Sequence, residues 1–188
     1  VLIEKMTIRY GNLTASTGGG IQLEQYNNLI LRDCEVTDNI ANWGGGGIYV
    51  WTGLGSCLIY NCTISNNNIN STNATGGGIR GESGTLAVYN STISGNSGNV
   101  GGGISANSFS IYNSTVTNNT AFQTGAFQGG GGILCGNPGQ VCDMRNVIVA
   151  GNSTAGGSDH DIMVWAGSYY NSLGHNLIGT VGSVNFST

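Results

Sequence analysis

The chain has 188 residues, of which 34 are glycine, one is proline and only 7% are charged, with a net charge of −4. Its five basic residues, Lys5, Arg9, Arg32, Arg80 and Arg145, are scattered among nine acids, so there is no basic stripe of the kind a nucleic acid needs. No apolar run approaches the ~18 residues of a membrane span, and no basic segment followed by an apolar stretch marks a secretion signal.

The first apolar pattern, from Ile3 to Ile8, is a degenerate copy of a repeat that runs through the rest of the chain. That repeat is a glycine run closed by isoleucine, a short strand, an apolar-Tyr-Asn step, and an apolar-polar-x-Asn step. The glycine marks close at Ile21, Ile48, Ile79, Ile104 and Ile133, spaced 25 to 31 residues apart. A period of that length predicts a solenoid, in which each repeat buries its apolar face against its neighbours. The first full copy reads Leu31-Arg32-Asp33-Cys34-Glu35-Val36-Thr37-Asp38-Asn39, and 59–67, 88–96, 111–119 and 144–152 match it. Apolar and polar residues alternate, which is the period of a half-buried strand. The alternation breaks at Asp33, Asn61, Asn90, Asn113 and Asn146, residues that tolerate a tight turn.

Gly, Asn, Ser and Thr disfavour helix, and the registered Ile, Val and Leu columns argue against disorder. The expected fold is therefore all-β: a parallel β-helix of about six to seven coils, with three short strands per coil. Coils stacked at about 4.8 Å turn repeated positions into ladders of like side chains. Asn39, Asn67, Asn96, Asn119 and Asn152 fit an inward asparagine ladder. Tyr60, Tyr89 and Tyr112 form an outward column flanked by Arg32 and Arg145, where a sugar or partner protein could stack. Tyrosine also paves β-surfaces for its propensity alone.

The five cysteines offer two candidate bridges. Cys34 and Cys62 share an inward column on adjacent coils, and Cys135 and Cys142 bracket the turn Gly136-Asn137-Pro138-Gly139. Cys57 is then a buried free thiol. Either bridge would indicate an oxidising compartment, hence a secreted or surface location.

Nine Asn-x-Ser/Thr triplets occur, about twice the number chance predicts. Asn61, Asn90 and Asn113 fall on the outer turn, Asn70 and Asn73 in an insertion between coils, and Asn12 and Asn118 complete the set. All seven are candidate glycosylation sites. Asn152 belongs to the inward ladder and should be unmodified, and Asn185 lies near the end of the sequence. Beyond covalent glycans no cofactor or metal is called for.

The GGGI marks and x-x-Asn steps resemble the GGA[ILV] and FxxN repeats of polymorphic outer-membrane proteins, with Val or Ile in place of the FxxN aromatic. More broadly, the chain resembles the right-handed parallel β-helix proteins found as adhesins and secreted surface proteins. The segment Ser172-Leu173-Gly174-His175-Asn176-Leu177-Ile178-Gly179 is similar to one common near the end of bacterial β-helix surface domains. The resemblance covers about residues 1 to 180 and implies a right-handed coil.

Because β-helices include polysaccharide lyases and hydrolases, the acids are candidates for a catalytic set. Asp159-His160-Asp161 is the only dense cluster, with no Lys or Arg close in sequence, and reads better as a turn or end-cap. Calcium on Asp33, Glu35 and Asp38 is conceivable, but no neighbouring coil repeats the set. No nucleophile elbow, HExxH or phosphate loop is present.

The chain opens on Val1 rather than Met and enters mid-coil. It is therefore expected to be a processed product or part of a longer chain, forming a single domain over 1–188. Neither end shows a cap, and open strand edges recruit further strands. The expectation is a non-catalytic extracellular rod, a filament subunit stacking end to end on copies of itself or an adhesin stalk that binds surface glycans. The alternatives are a polysaccharide-active enzyme and a carbohydrate-binding module using the tyrosine column.

Overall fold

The computed structural model describes residues 1–123, 129–137, 139–156, 160–165, 167–181 and the backbone of 186–187. Pro138, Asp159 and Asn185 lie outside the described residues. Alternating short strands wind into a rod with three lateral faces, every strand pairing in parallel with the coils above and below. The first face carries Leu2–Glu4, Asn28–Arg32, Ile48–Tyr60, Ile79–Tyr89, Phe109–Tyr112, Val141–Arg145, Tyr169–Ser172 and Phe186–Ser187 in axial order. Shorter entry strands join the same sheet, Ile21–Leu23, Ile104–Ala106 and Ile133–Cys135 just after a glycine run and Ile162–Val164 just after Asp161. Among the described residues the second face has seven strands, from Thr7–Arg9 to Leu177–Ile178, and the third has six, from Asn12–Leu13 to Ser153–Thr154.

Left-handed residues make the corners, and besides Gly18, Gly45, Gly76 and Gly101 in the glycine runs, at φ between 59° and 72°, two further columns carry them. Asp33, Asn61, Asn90, Asn113 and Asn146 turn the chain from the first face to the second with φ between 49° and 53°. Asp38, Asn66, Gly95, Asn118 and Gly151 turn it from the second to the third with φ between 54° and 71°. These types bear that conformation at least cost. In the degenerate first coil the corners fall on Lys5 and Tyr10, at φ 55° and 64°.

Inside the corners lies the core. Ile48, Ile79, Ile104, Ile133 and Ile162 close the glycine runs or their equivalent and are fully buried. They meet the Leu31, Ile59, Val88, Ile111 and Met144 column and the Val36, Ile64, Ile93, Val116 and Val149 column. The asparagine ladder stands between the second and third faces. Nδ2 of each residue donates to Oδ1 of the next, over 2.9 Å from Asn39 to Asn67, 3.0 Å from Asn67 to Asn96, and 2.9 Å from Asn96 to Asn119 and from Asn119 to Asn152. Each Oδ1 also accepts the backbone N–H of the preceding ladder residue.

The ladder explains the last glycine of each mark. A Cβ at Gly20, Gly47, Gly78, Gly103 or Gly132 would sit 2.7–3.0 Å from the side-chain amide of Asn39, Asn67, Asn96, Asn119 or Asn152 respectively. The glycine mark and the x-x-Asn step are thus two halves of one packing contact.

Cys135 and Cys142 are joined by a disulfide. The other candidate pair needs correction: Cys34 and Cys62, like Cys57, are separate buried thiols. Each turns back on its own strand, with Cys34 Sγ 3.2 Å from the Arg32 carbonyl and Cys62 Sγ 3.1 Å from the Tyr60 carbonyl. Ser91 and Ser114 do the same at the equivalent positions, donating to the Tyr89 and Tyr112 carbonyls at 2.7 Å.

Candidate functional site

The tyrosine column forms as the repeats require, with Arg32 paired to Tyr60 and Tyr112 to Arg145 in register. Ring centroids are 4.8 Å apart for Tyr60–Tyr89 and 5.4 Å for Tyr89–Tyr112, with interplanar angles of 10° and 26°. Rings stacked this way cover one another's faces and turn only their edges outward. The faces between the rings are closed to a sugar, and only the outer faces of Tyr60 and Tyr112 are not covered by another ring of the column. Burial and the flanking Tyr60 and Tyr112 raise the Tyr89 pKa. Beside it runs an outer ladder, in which Asn61 Nδ2 donates to Asp33 Oδ1 at 3.0 Å and Asn146 Nδ2 to Asn113 Oδ1 at 2.9 Å.

Asn12, Asn61, Asn70, Asn73, Asn90, Asn113 and Asn118 are all exposed, whereas Asn152 is buried in the inner ladder. Of the acidic cluster, Asp161 is 2% exposed. Its Oδ1 accepts both Asn152 N–H at 2.7 Å and Asn152 Nδ2 at 2.8 Å, and its Oδ2 accepts Thr180 N–H at 2.7 Å. Asp161 therefore terminates the inner ladder and is closed to substrate. His175 is exposed at a left-handed corner of φ 57°, next to Asn176, which accepts Val147 N–H at 3.0 Å. Among the described residues no group of three or more His, Cys, Asp or Glu is placed to hold a metal.

A different cluster stands on the outer side of the entry strands, where each copy differs. Gln22, Tyr49, Arg80, Ser105, Leu134 and Met163 occupy one axial column of the first face. Arg80 pairs with Glu82, Nη2 at 2.8 Å and Nε at 2.9 Å from Oε1, and its Nη1 donates to Thr75 Oγ1. Tyr49, 7% exposed, stands close enough to Glu82 to feel its charge. Burial first and the Glu82 charge second push its pKa up to about 12, so it remains a donor.

The face bends just past this cluster. There Glu82, Ser83, Gly84, Asn107, Ser108 and Gln140 line a pocket of about 270 Å³. Asn107 Nδ2 donates to the Glu82 carbonyl at 2.5 Å. Trp51, paired in register with Ser83, is 42% exposed on one side along the rod. Trp165, whose ring lies 3.5 Å from where a Gly136 Cβ would be, is 40% exposed on the other.

Residues 2–178 match the family described as the right handed beta helix region. The chain belongs to that family. No curated protein and no solved structure matches it.

Membership makes the coil right-handed and leaves activity open. On this right-handed β-helix the bend strip combines two aromatic rings with paired charges and neutral amides and hydroxyls. From Trp51 to Trp165 it spans four coil steps, about 19 Å at the strand spacing. The strip runs along the rod and offers ring faces and hydrogen-bonding groups on one side of it. The reading from repeats missed it because its residues are departures from the repeat; comparing the residues just after each GGGI mark was the available signal.

Proposed function

We propose that this β-helix is an extracellular structural rod of adhesive type that holds a polysaccharide chain along the bend of its first face without cleaving it. The observation that carries the reading is the pair of half-exposed tryptophans, Trp51 and Trp165, on either side of a polar pocket. Ring faces and planar hydrogen-bonding side chains are the chemistry that holds sugars, whose hydroxyls need partners and whose C–H faces are apolar. The Cys135–Cys142 bridge supports an oxidising compartment, and the resemblance to adhesin-type repeats supports a surface role. The exposed sequons suit covalent glycans in a host that uses them. End-to-end assembly depends on whether further residues flank these coils.

The test is co-sedimentation with a panel of insoluble polysaccharides. Retention by at least one is expected, with Trp51→Ala and Trp165→Ala each weakening it about tenfold, the equivalent of about 1.4 kcal/mol. A folded protein retained by none refutes the proposal. Release of reducing or unsaturated ends would convert it to an enzyme, with Glu24 and Glu82, the acids acting on Tyr49, the first residues to substitute.

A further inference from the structure

Resting on the polysaccharide reading, we infer that the bend strip selects an uncharged polysaccharide and that the Arg80–Glu82 pair sets this selectivity. An acidic polymer needs cations free to meet it. The guanidinium of Arg80 is the one cation on the entry column, and three of its donors are already committed: two to Glu82 and one to Thr75. The Glu82 carboxyl is in turn tied through Oε1 to Nη2 and Nε of Arg80. The charges therefore cancel within the protein. Asn107, Ser108 and Gln140 in the pocket are uncharged groups that match hydroxyls.

The remaining cations stand elsewhere. Arg32 and Arg145 bracket the tyrosine column at the opposite edge of the first face, where Arg145 and His175 line a separate depression of about 730 Å³ with Tyr112. An anionic chain would be drawn to that edge, away from the tryptophans. The pairing also leaves a latent second specificity, because removing the Glu82 charge frees the guanidinium of Arg80 in a site already shaped for a sugar chain.

Affinity electrophoresis through gels containing a soluble neutral β-glucan, mannan or xylan, or polygalacturonate or alginate, separates these cases. Runs at about 0.05 M and about 0.5 M salt cover a range over which exposed ion pairing is strongly screened. The wild-type chain should be retarded by a neutral polymer equally at both salts. Glu82→Gln should weaken that retardation about tenfold, the loss of a hydrogen bond to a charged group, and should gain salt-sensitive retardation by an acidic polymer. Asn107→Ala, which leaves the ion pair in place, should weaken neutral binding without the gain.

Salt-sensitive preference of the wild-type chain for an acidic polymer, abolished by Arg145→Ala, overturns the inference while leaving polysaccharide binding standing. Neutral binding that Glu82→Gln and Asn107→Ala both leave untouched overturns the placement. Retardation by no polymer, with circular dichroism still that of the β-rod, sinks the underlying reading instead.

Discussion

Truncating the middle of the inner ladder should be the most destabilising single change of an uncharged polar side chain. Asn96→Ala deletes four hydrogen bonds: Nδ2 to Asn119 Oδ1 at 2.9 Å and to the Ile64 carbonyl at 2.9 Å, and the two that Oδ1 accepts at 3.0 Å from Asn67 N–H and Nδ2. Asn67 Nδ2 keeps its bond to the Val36 carbonyl. The Asn67 N–H loses its partner, however, in a residue that is fully buried. One stranded buried donor costs about 1–3 kcal/mol and the other three lost bonds about 1 kcal/mol net each, so a loss of about 4–6 kcal/mol is expected. At about 2–4 °C per kcal/mol for a chain of this length, the melting temperature falls by roughly 8–24 °C. Asn90→Gly is the control, because it removes an exposed amide in a weak 3.4 Å contact and leaves a residue content at φ 49°. Thermal melts by circular dichroism measure both. A drop for Asn96→Ala within about 2 °C of the control would refute the claim that amide stacking holds the coils together.

The tyrosines should prove structural: Tyr89→Ala ends two ring stacks, worth about 1–3 kcal/mol together, and should lower the melting temperature while leaving polysaccharide retention unchanged. Removing the bridge with Cys135→Ser and Cys142→Ser together should cost about 2–3 kcal/mol from the small loop it closes, read by urea titration with and without reductant. The remaining thiols give a pH test, since burial raises the Cys57 pKa from 9.0 to about 12 and that of Cys62 to about 11. The folded state then holds protons that the unfolded state releases, so stability is complete below pH 9 and falls by up to ~1.4 kcal/mol per pH unit for each thiol as pH rises, toward 11 for Cys62 and toward 12 for Cys57. Native chain at pH 8 should react with a thiol reagent only after denaturant is added, and rapid labelling of the native state would contradict the burial.

The coil architecture was legible because repetition multiplies a weak signal. One Asn39 means little, but five asparagines in register can only stand in one column. The same averaging misled for Cys34 and Cys62. Sharing a column sets backbone spacing and says nothing of side-chain direction; Ser91 and Ser114 in the same column were the clue that small polar groups there turn back to the preceding carbonyl. Tyr60, Tyr89 and Tyr112 form the expected column, and identical rings at the coil spacing stack face to face, which hides the inter-ring faces that a ligand would use. The Tyr49, Arg80 and Glu82 cluster was invisible for the opposite reason. Its column reads Gln22, Tyr49, Arg80, Ser105, Leu134, Met163, and nothing in it repeats.

Ladder direction accounts for two departures, Asp33 and Asp161. The inner ladder donates toward the C-terminal coils and ends on the Asp161 carboxyl; the outer one donates the other way, Asn61 giving to Asp33. Each series finishes on a group that only accepts, where an amide would bring an N–H with no neighbour to take it. Burial makes the two ends unequal. Asp33 is exposed, so in Asp33→Asn water can serve the added N–H and the melting temperature should stay within about 2 °C of wild type. Asp161→Asn must point its amide nitrogen either at the two donors of Asn152 or at Thr180 N–H. A Cβ at Gly179 would already lie 2.3 Å from Asp161 Oδ2, so the site has little room to relax. Donor facing donor in a buried site costs about 1–3 kcal/mol, a fall of roughly 2–12 °C. Should the two variants melt together, the aspartates are not ladder ends, and the acidic residues of this β-helix would have to be sought again as part of a reactive surface.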